Sequence, residues 1–259
     1  MQETPILAFD VGGSFVKAGL VNPASGAVGG AVLRRPTPAG ATPVDVIDLL
    51  ASMAGELPSD GPVGVAFPAV TRHGRAWTAA NIDTRWIGTD AQGLLGARIG
   101  RPVAFLNDAD AAGLAEMTLG AGSGRSGTVM VLTLGTGIGT AIFVDGRLLP
   151  NTELGHLEVR GMEAEHRASA KVKTDLGLGW DEWAAAVNEV LAAYHRLLWP
   201  DVFVIGGGVT ENWEMFGPLL ESRAEIVPAH FRNEAGIIGA AMAAAALPPR
   251  DGGVGDQAA

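Results

Sequence analysis

PILAFDVGGSFVKAGLV, from Pro5 to Val21, is the stretch on which the fold turns. Pro5 to Val11 is a short apolar run ending in an acid, Gly12-Gly13-Ser14 interrupts it, and Phe15 to Val21 is apolar enough for a second strand. The pattern reads strand, glycine turn, strand. The same layout returns far along the chain: Thr128 to Leu134 (TVMVLTL), then Gly135-Thr136-Gly137, then Ile138 to Val144 (IGTAIFV), with Asp145-Gly146 as a hairpin signal. One device used twice predicts two similar α/β halves.

Outward from these hairpins, short apolar runs at Val63 to Phe67, Val103 to Leu106 and Val202 to Ile205 read as further strands. Pro43 to Ala54, Asp108 to Leu119, Trp180 to Leu198 and Ala235 to Leu247 have the length and apolar spacing of helices. Gly120 to Gly127 reads as a loop and Pro248 to Ala259 as a frayed tail. The expected division is an α/β domain over residues 1–107 and a second over 108–259, with the helix near 235–247 able to pack back on the first.

The chain of 259 residues has room for two modest domains, and 47% hydrophobic with 18% charged residues is an ordinary globular composition. The 37 glycines are the exception, and point to tight turns and to places where backbone approaches a ligand. A net charge of −10 argues against a protein that coats nucleic acid or an anionic membrane. The lack of cysteine excludes disulfides, thiolate zinc sites, cysteine nucleophiles and thiol redox chemistry. No basic region followed by an apolar stretch opens the chain, and no window offers the ~18 apolar residues of a membrane span, so a cytoplasmic protein is expected.

Gly135-Thr136-Gly137-Ile138-Gly139 is not a dinucleotide fingerprint, because that motif must open a helix and here β-branched residues continue into a strand. No P-loop spacing occurs either. A plain hairpin turn is one reading of each glycine motif; two matched, amide-rich turns facing one another, able to clamp a phosphate chain, is the other. Asp10, at the end of a buried strand, suits either a turn cap or Mg²⁺. Lys17 reads as a phosphate contact or as a solvated charge. Gly206-Gly207-Gly208 after a third strand marks a close approach, to a ligand or to another element.

DVGGSFVKAG from Asp10, LGTGIGTA from Leu134, ELGH from Glu153 and IGGGV from Ile205 resemble, in order and spacing, the ROK family of sugar kinases across nearly the whole chain. RRPTP at Arg34, GVAFPAV at Gly64, TAANID and TRWIG from Thr78, NDADAAG at Asn107 and IVPAHFRNEAGIIGAA at Ile226 are similar to its polyphosphate glucokinases and glucomannokinases. The resemblance implies an actin-like, ribonuclease-H-like fold of two α/β domains with the active site in the cleft, commonly as a homodimer. It also implies Asp108 as general base. The bland alternative for Asp108 is an N-cap of the helix it begins. By the same resemblance Asn81, Asn107, Glu153 and His156, with the backbone near Pro68-Ala69, line a sugar pocket. The phosphates then fall to Gly12, Gly13, Ser14, Lys17, Gly135, Thr136, Gly137, Gly207 and Gly208, with Asp10 toward Mg²⁺.

Many members of that family follow Glu-x-Gly-His with a cysteine-rich zinc motif. This chain has no cysteine, so zinc is not expected, and Glu165 is the candidate for the acid supplied near that motif. Glu153 and His156 alone could begin a metal site, but no third histidine stands at a supporting spacing. His166 and His195 read as helix-surface or packing residues. Arg34, Arg35, Arg72, Arg75, Arg160, Arg167, Lys171 and Lys173 are the candidates for a basic track that would hold polyphosphate and make its binding fall steeply with salt.

The expectation is a kinase that phosphorylates the 6-hydroxyl of glucose from inorganic polyphosphate, with Mg²⁺ and with ATP as a second candidate donor. An ATP-dependent glucokinase or a glucomannokinase accepting mannose is the alternative within the family. A non-catalytic sugar-sensing member would carry a DNA-binding segment ahead of the first strand, which here begins within a few residues of Met1. An actin-like nucleotide switch has no use for Asn107-Asp108 together with the Glu153 to His156 turn.

Overall fold

The computed structural model describes residues 4–80 and 82–248. Asn81 and the expected tail beyond residue 248 lie outside the described residues. Two five-stranded sheets carry the fold. The first uses β1 (Ile6–Val11), β2 (Phe15–Val21), β3 (Val28–Pro36), β4 (Val63–Phe67) and β5 (Val103–Asn107) in the order β3-β2-β1-β4-β5. The second uses β6 (Thr128–Leu134), β7 (Ile138–Val144), β8 (Arg147–Thr152), β9 (Val202–Gly206) and β10 (Glu225–Pro228) in the order β8-β7-β6-β9-β10. Each sheet therefore begins with an antiparallel meander and ends with two parallel strands beside its first. The duplication suggested by the two glycine hairpins extends to complete strand order.

The sequence hid three of these strands for a physical reason. β3 and β8 are exposed edges, and β10 is a short edge, so none needs an unbroken apolar run. The central strands are buried on both faces and read as continuous apolar segments. Along β1 the alternation is clean: Leu7, Phe9 and Val11 enter the core under α1 (Pro43–Glu56) and α2 (Ala91–Ile99). Ile6 and Ala8 face the opposite way, toward α3 (Asp108–Leu119) and the last helix.

α3 leaves β5 of the first sheet and packs on the second sheet, with Leu114 and Met117 against Val129, Val131 and Phe143. The last helix, α7 (Ala235–Ala245), leaves the second sheet and packs on the first, with Ile237 and Ile238 in a cluster with Ile6, Ala8 and Ala66. The two helices cross between the sheets. At Gly239 the crossing is so close that a Cβ would run into the Ala111 carbonyl. Outside the second sheet, α6 (Trp180–Leu198) buries Trp183, Val187, Leu191 and Tyr194 against Leu132, Phe203 and Ile205. Between β8 and α6 run two short helices, α4 (Ala164–Ala168) and α5 (Ala170–Leu176). No helix among the described residues is long and apolar enough to cross a membrane.

Candidate active site

The two glycine turns close one cavity of about 250 Å³, lined on one wall by Gly12, Gly13, Pro68, Ala69, Asn107 and Asp108. Gly135, Thr136, Gly137, Glu153, His156 and Glu165 line the other, and Gly207 completes it. The cavity opens at the carboxyl ends of the parallel strands β1, β4, β5, β6 and β9, where a doubly wound sheet leaves its crevice. Gly207, at φ +91°, lies against the backbone of Leu134, so the third glycine motif serves a close approach of strand to strand as well as the cavity wall. Ser14, Lys17, Asp10 and Gly208 are not part of the lining.

Asp108 is the first residue of α3, yet the cap is Asn107, whose Oδ1 accepts the Asp110 N–H at 3.0 Å. The N-cap alternative for Asp108 is thereby corrected: its neighbour holds the cap position, and Asp108, with one oxygen on the Ala109 N–H, lines the cavity. The Asn107 side chain is held from its other end as well, donating from Nδ2 to the Ala69 carbonyl at 3.1 Å. One Asp108 oxygen accepts the Ala109 N–H at 2.8 Å. Burial pushes the Asp108 carboxyl up to about 7, and the carboxylates of Asp10 and Glu153 push it the same way. A group that exchanges its proton near neutrality, at the floor of a cleft, is suited to general base work.

Asp10 and Lys17 are direct partners across the β1–β2 hairpin, and their side chains meet at 3.1 Å. Lys17 also donates to the carbonyl of Asn233 at 2.9 Å. The solvated reading of Lys17 is corrected: its charge is turned toward Asp10, and it ties the first hairpin to the approach of α7. The Asp10 carboxylate lies against Gly236 in the first turn of α7. Thr37 braces the Gly12 to Ser14 turn, donating from Oγ1 to the Gly12 carbonyl at 2.6 Å.

The Glu153 to His156 turn is a single 3₁₀ turn following β8. His156 Nδ1 is 3.1 Å from Glu163, and Glu165 stands 3.8 Å away. Nε2 is 3.7 Å from Glu153. This acidic surround raises the His156 imidazole above its usual value, the Glu163 hydrogen bond foremost. Desolvation raises Glu153, and Glu165 adds to it. The absence of a third histidine was the wrong criterion for what surrounds His156, because its neighbours are carboxylates. His156, Glu163 and Glu165 offer ligand atoms within 4.8 Å of one another. Glu165 enters the cavity beside Gly137. Tyr194, the single tyrosine, reaches from α6 to donate to the Leu154 carbonyl at 2.8 Å, fixing the turn from behind.

Some site residues escaped the sequence reading. Thr133, Thr140 and Thr152 line the cavity, and Thr140 Oγ1 donates to the Thr152 carbonyl at 2.6 Å. The available signal was a hydroxyl inside the apolar run of β7. Glu163 carried no such signal. The basic track needs correction: Arg35 pairs with Glu56, Arg160 and Arg167 both pair with Glu189, and Lys171 pairs with Asp175. Arg75 donates to the Gly88 carbonyl, and none of the eight cations lines the cavity. Arg34 lies over Phe15, immediately after the first glycine turn. Lys173 lies over Trp180, on the helix whose start bonds the Gly135 carbonyl. His166 is exposed on α4, and both ring nitrogens of His195 are buried without a hydrogen-bond partner among the described residues, as surface and packing residues respectively.

Comparison with known proteins gives this arrangement a setting. The profile described as "ROK family" matches residues 6–170. The polyphosphate glucokinase of Mycobacterium tuberculosis (strain CDC 1551 / Oshkosh) is 48% identical over 238 residues, covering 92% of this chain and 90% of that protein. The crystal structure of the inorganic polyphosphate/ATP-glucomannokinase from Arthrobacter sp. strain KM superposes with a TM-score of 0.90 at 46% identity, covering 94% of this chain and 99% of that one. A glucokinase from Streptomyces griseus, in complex with glucose and AMPPNP, shares the fold with a TM-score of 0.76 at 23% identity, over 92% of this chain and 98% of that one.

Proposed function

The chain belongs to the ROK family, and on that premise we propose that it transfers the terminal phosphoryl group of inorganic polyphosphate to the 6-hydroxyl of glucose, with Asp108 as general base. The observation that carries the reading is the Asp108 carboxylate lining the cavity between two glycine turns, with the cap position taken by Asn107. Phosphoryl transfer asks a protein mainly for position and charge. Asp108 accepts the proton of the attacking hydroxyl. Asn107, Glu153, His156 and Glu165, with Asn81, hold the sugar by its remaining hydroxyls. Gly12-Gly13-Ser14 and Gly135-Thr136-Gly137 turn their backbone toward the donor's phosphates, the N–H groups of Gly12 and Gly135 being kept for the bonds to the Phe15 and Gly137 carbonyls that close each turn, with Gly207 and Gly208 alongside and Lys17 behind.

Mg²⁺ belongs to this proposal, with Asp10 as the carboxylate that would help hold it together with substrate phosphates: Asp10 is near enough to Asp108 to raise it, and its Oδ2 is paired with Lys17 behind the cavity wall. Bound there, the ion would supply positive charge to the transferring phosphates. Zinc is no part of the reading. ATP as a second donor, mannose as a second acceptor, a homodimer and a cytoplasmic location complete it, supported by the similar Arthrobacter glucomannokinase for the first two and by family resemblance for the rest. The test is formation of glucose 6-phosphate with Mg²⁺, run with polyphosphate and with ATP as sole donor. Turnover with polyphosphate is expected. A folded protein inactive with both donors would overturn the reading.

A further inference from the structure

A ring of hydrogen bonds passes through the residues on either side of Asp108 along the chain, Asn107 and Asp110. Asn107 donates to the Ala69 carbonyl at 3.1 Å and accepts the Asp110 N–H at 3.0 Å. Asp110 Oδ2 accepts the N–H of Asn151 at 2.8 Å. The Asn151 side chain then meets the backbone of Thr71 twice, Oδ1 accepting the Thr71 N–H at 2.6 Å and Nδ2 donating to the Thr71 carbonyl at 2.9 Å. Thr71 is two residues from Ala69, so the ring returns to its start. Ala69 and Thr71 follow β4 of the first sheet, Asn107 and Asp110 form the junction of β5 with α3, and Asn151 belongs to β8 of the second sheet. The bonds between Asn151 and Thr71 thus run from one wall of the cavity to the other.

Several costs meet at this ring. Asn151 has φ 59°, a left-handed conformation for a side-chain-bearing residue. The pairing of β8 with β7 slips between Leu149 and Thr152, and such bulges re-aim the side chains beyond them. Asp110 is 2% exposed, and its Oδ1 has no hydrogen-bond partner among the described residues. Strain and a buried carboxylate persist where the surroundings over-determine them, and such places cluster at functional sites.

We propose that Asn151, held by Asp110, is a positioning residue: it latches the Pro68 to Thr71 loop to β8 and so fixes the spacing of the two walls that grip the sugar. The proposal rests on the sugar-kinase reading. The direct consequence is for sugar affinity, because Ala69 and Asn107 on one wall, and Thr152 and Glu153 on the other, are the residues the ring holds in register. The phosphate turns are braced separately, through Thr37 and through the start of α5 at Gly135.

Asn151→Gly keeps the left-handed backbone accessible and removes both bonds to Thr71. In the full chain it should raise the glucose KM about tenfold, as loss of two side-chain bonds suggests, while the polyphosphate KM at saturating glucose changes less than about twofold. Asn151→Asp, which retains one acceptor for the Thr71 N–H, should fall between. Hydrogen exchange at the Thr71 amide, measured without substrate, should accelerate in Asn151→Gly. An unchanged glucose KM in a folded variant would overturn the latch, as would sugar and donor parameters declining together with Tm. If the wild-type protein shows no turnover, the kinase reading falls, and exchange at Thr71 then decides the latch by itself: acceleration supports it and its absence overturns it.

Discussion

The two sheets share a strand order and begin with hairpins joined by three-residue turns, Gly12 to Ser14 and Gly135 to Gly137, yet they carry different chemistry. The first hairpin is charged, with Asp10 and Lys17 paired across it. The second is neutral, with threonines at the corresponding strand ends. The third strands differ as well. In β3 the register shift falls toward the far end, opposite Ala18 to Leu20, and its last residues run out to brace the first turn. In β8 the shift falls at the cavity end, and it sends Thr152 and Glu153 toward the cleft. A repeated scaffold fixes where strands end. Which half supplies base and which supplies sugar ligands depends on the residues placed at those ends.

The sharpest way to break this division is Asp108→Asn, which should lower kcat by ~10³–10⁴ with the fold intact. A loss under tenfold would remove Asp108 from the base role. Asp10→Asn should cost less, about 10- to 100-fold in kcat, the scale of losing one charged partner of the phosphates. It should also move the acid limb of kcat/KM below pH 7, because the Asp10 carboxylate helps to raise Asp108; an unmoved limb would separate the two residues. On the other wall, Glu153→Gln should act mainly on the sugar, raising the glucose KM about tenfold. An effect confined to the donor would reverse the assignment of the halves.

Stability should respond to pH in the sense that a raised carboxyl requires. Asp108 ionises near 3.9 in the unfolded chain and near 7 in the fold, so the native state holds its proton more tightly between those values and loses that stabilisation as pH climbs through about 7. Asp108→Asn should therefore melt a few degrees above the wild type at pH 8, with the gain shrinking toward pH 4. A gain that grew at acid pH would contradict the sign. The smallest effect is expected at Arg34→Ala: a few-fold rise in polyphosphate KM with a shallow salt dependence, since four of the eight candidate cations are already paired with carboxylates. A steep salt dependence that survives the substitution would point to other cations.

Much of the fold was legible because buried strands and helices leave periodic apolar runs, and both glycine hairpins announced themselves by composition. The edge strands β3, β8 and β10 left no such trace, being mostly exposed or half-buried, whereas the buried edge strand β5 did. In the site, Asn107, Asp108, Glu153 and His156 were readable as motif residues and Glu165 as the candidate for the acid near the absent zinc motif, and all five line the cavity. The division of labour between Asn107 and Asp108 was not readable, since either residue type caps a helix well. Nor was the carboxylate surround of His156, the Asp10–Lys17 pair or the bonding of Asn151 to Thr71, which depend on cross-strand register and on one bulge. Register is a property of the packed sheet, and a single sequence shows it poorly.

The most direct test of the account is the pH dependence of kcat/KM for glucose phosphorylation by polyphosphate, in the wild type and in Asp108→Asn. The account predicts a wild-type acid limb near pH 7, where Asp108 loses its proton, and a low rate in the variant with that limb gone. The same limb in both proteins, or a variant retaining more than about a tenth of the wild-type rate, would contradict Asp108 as the base.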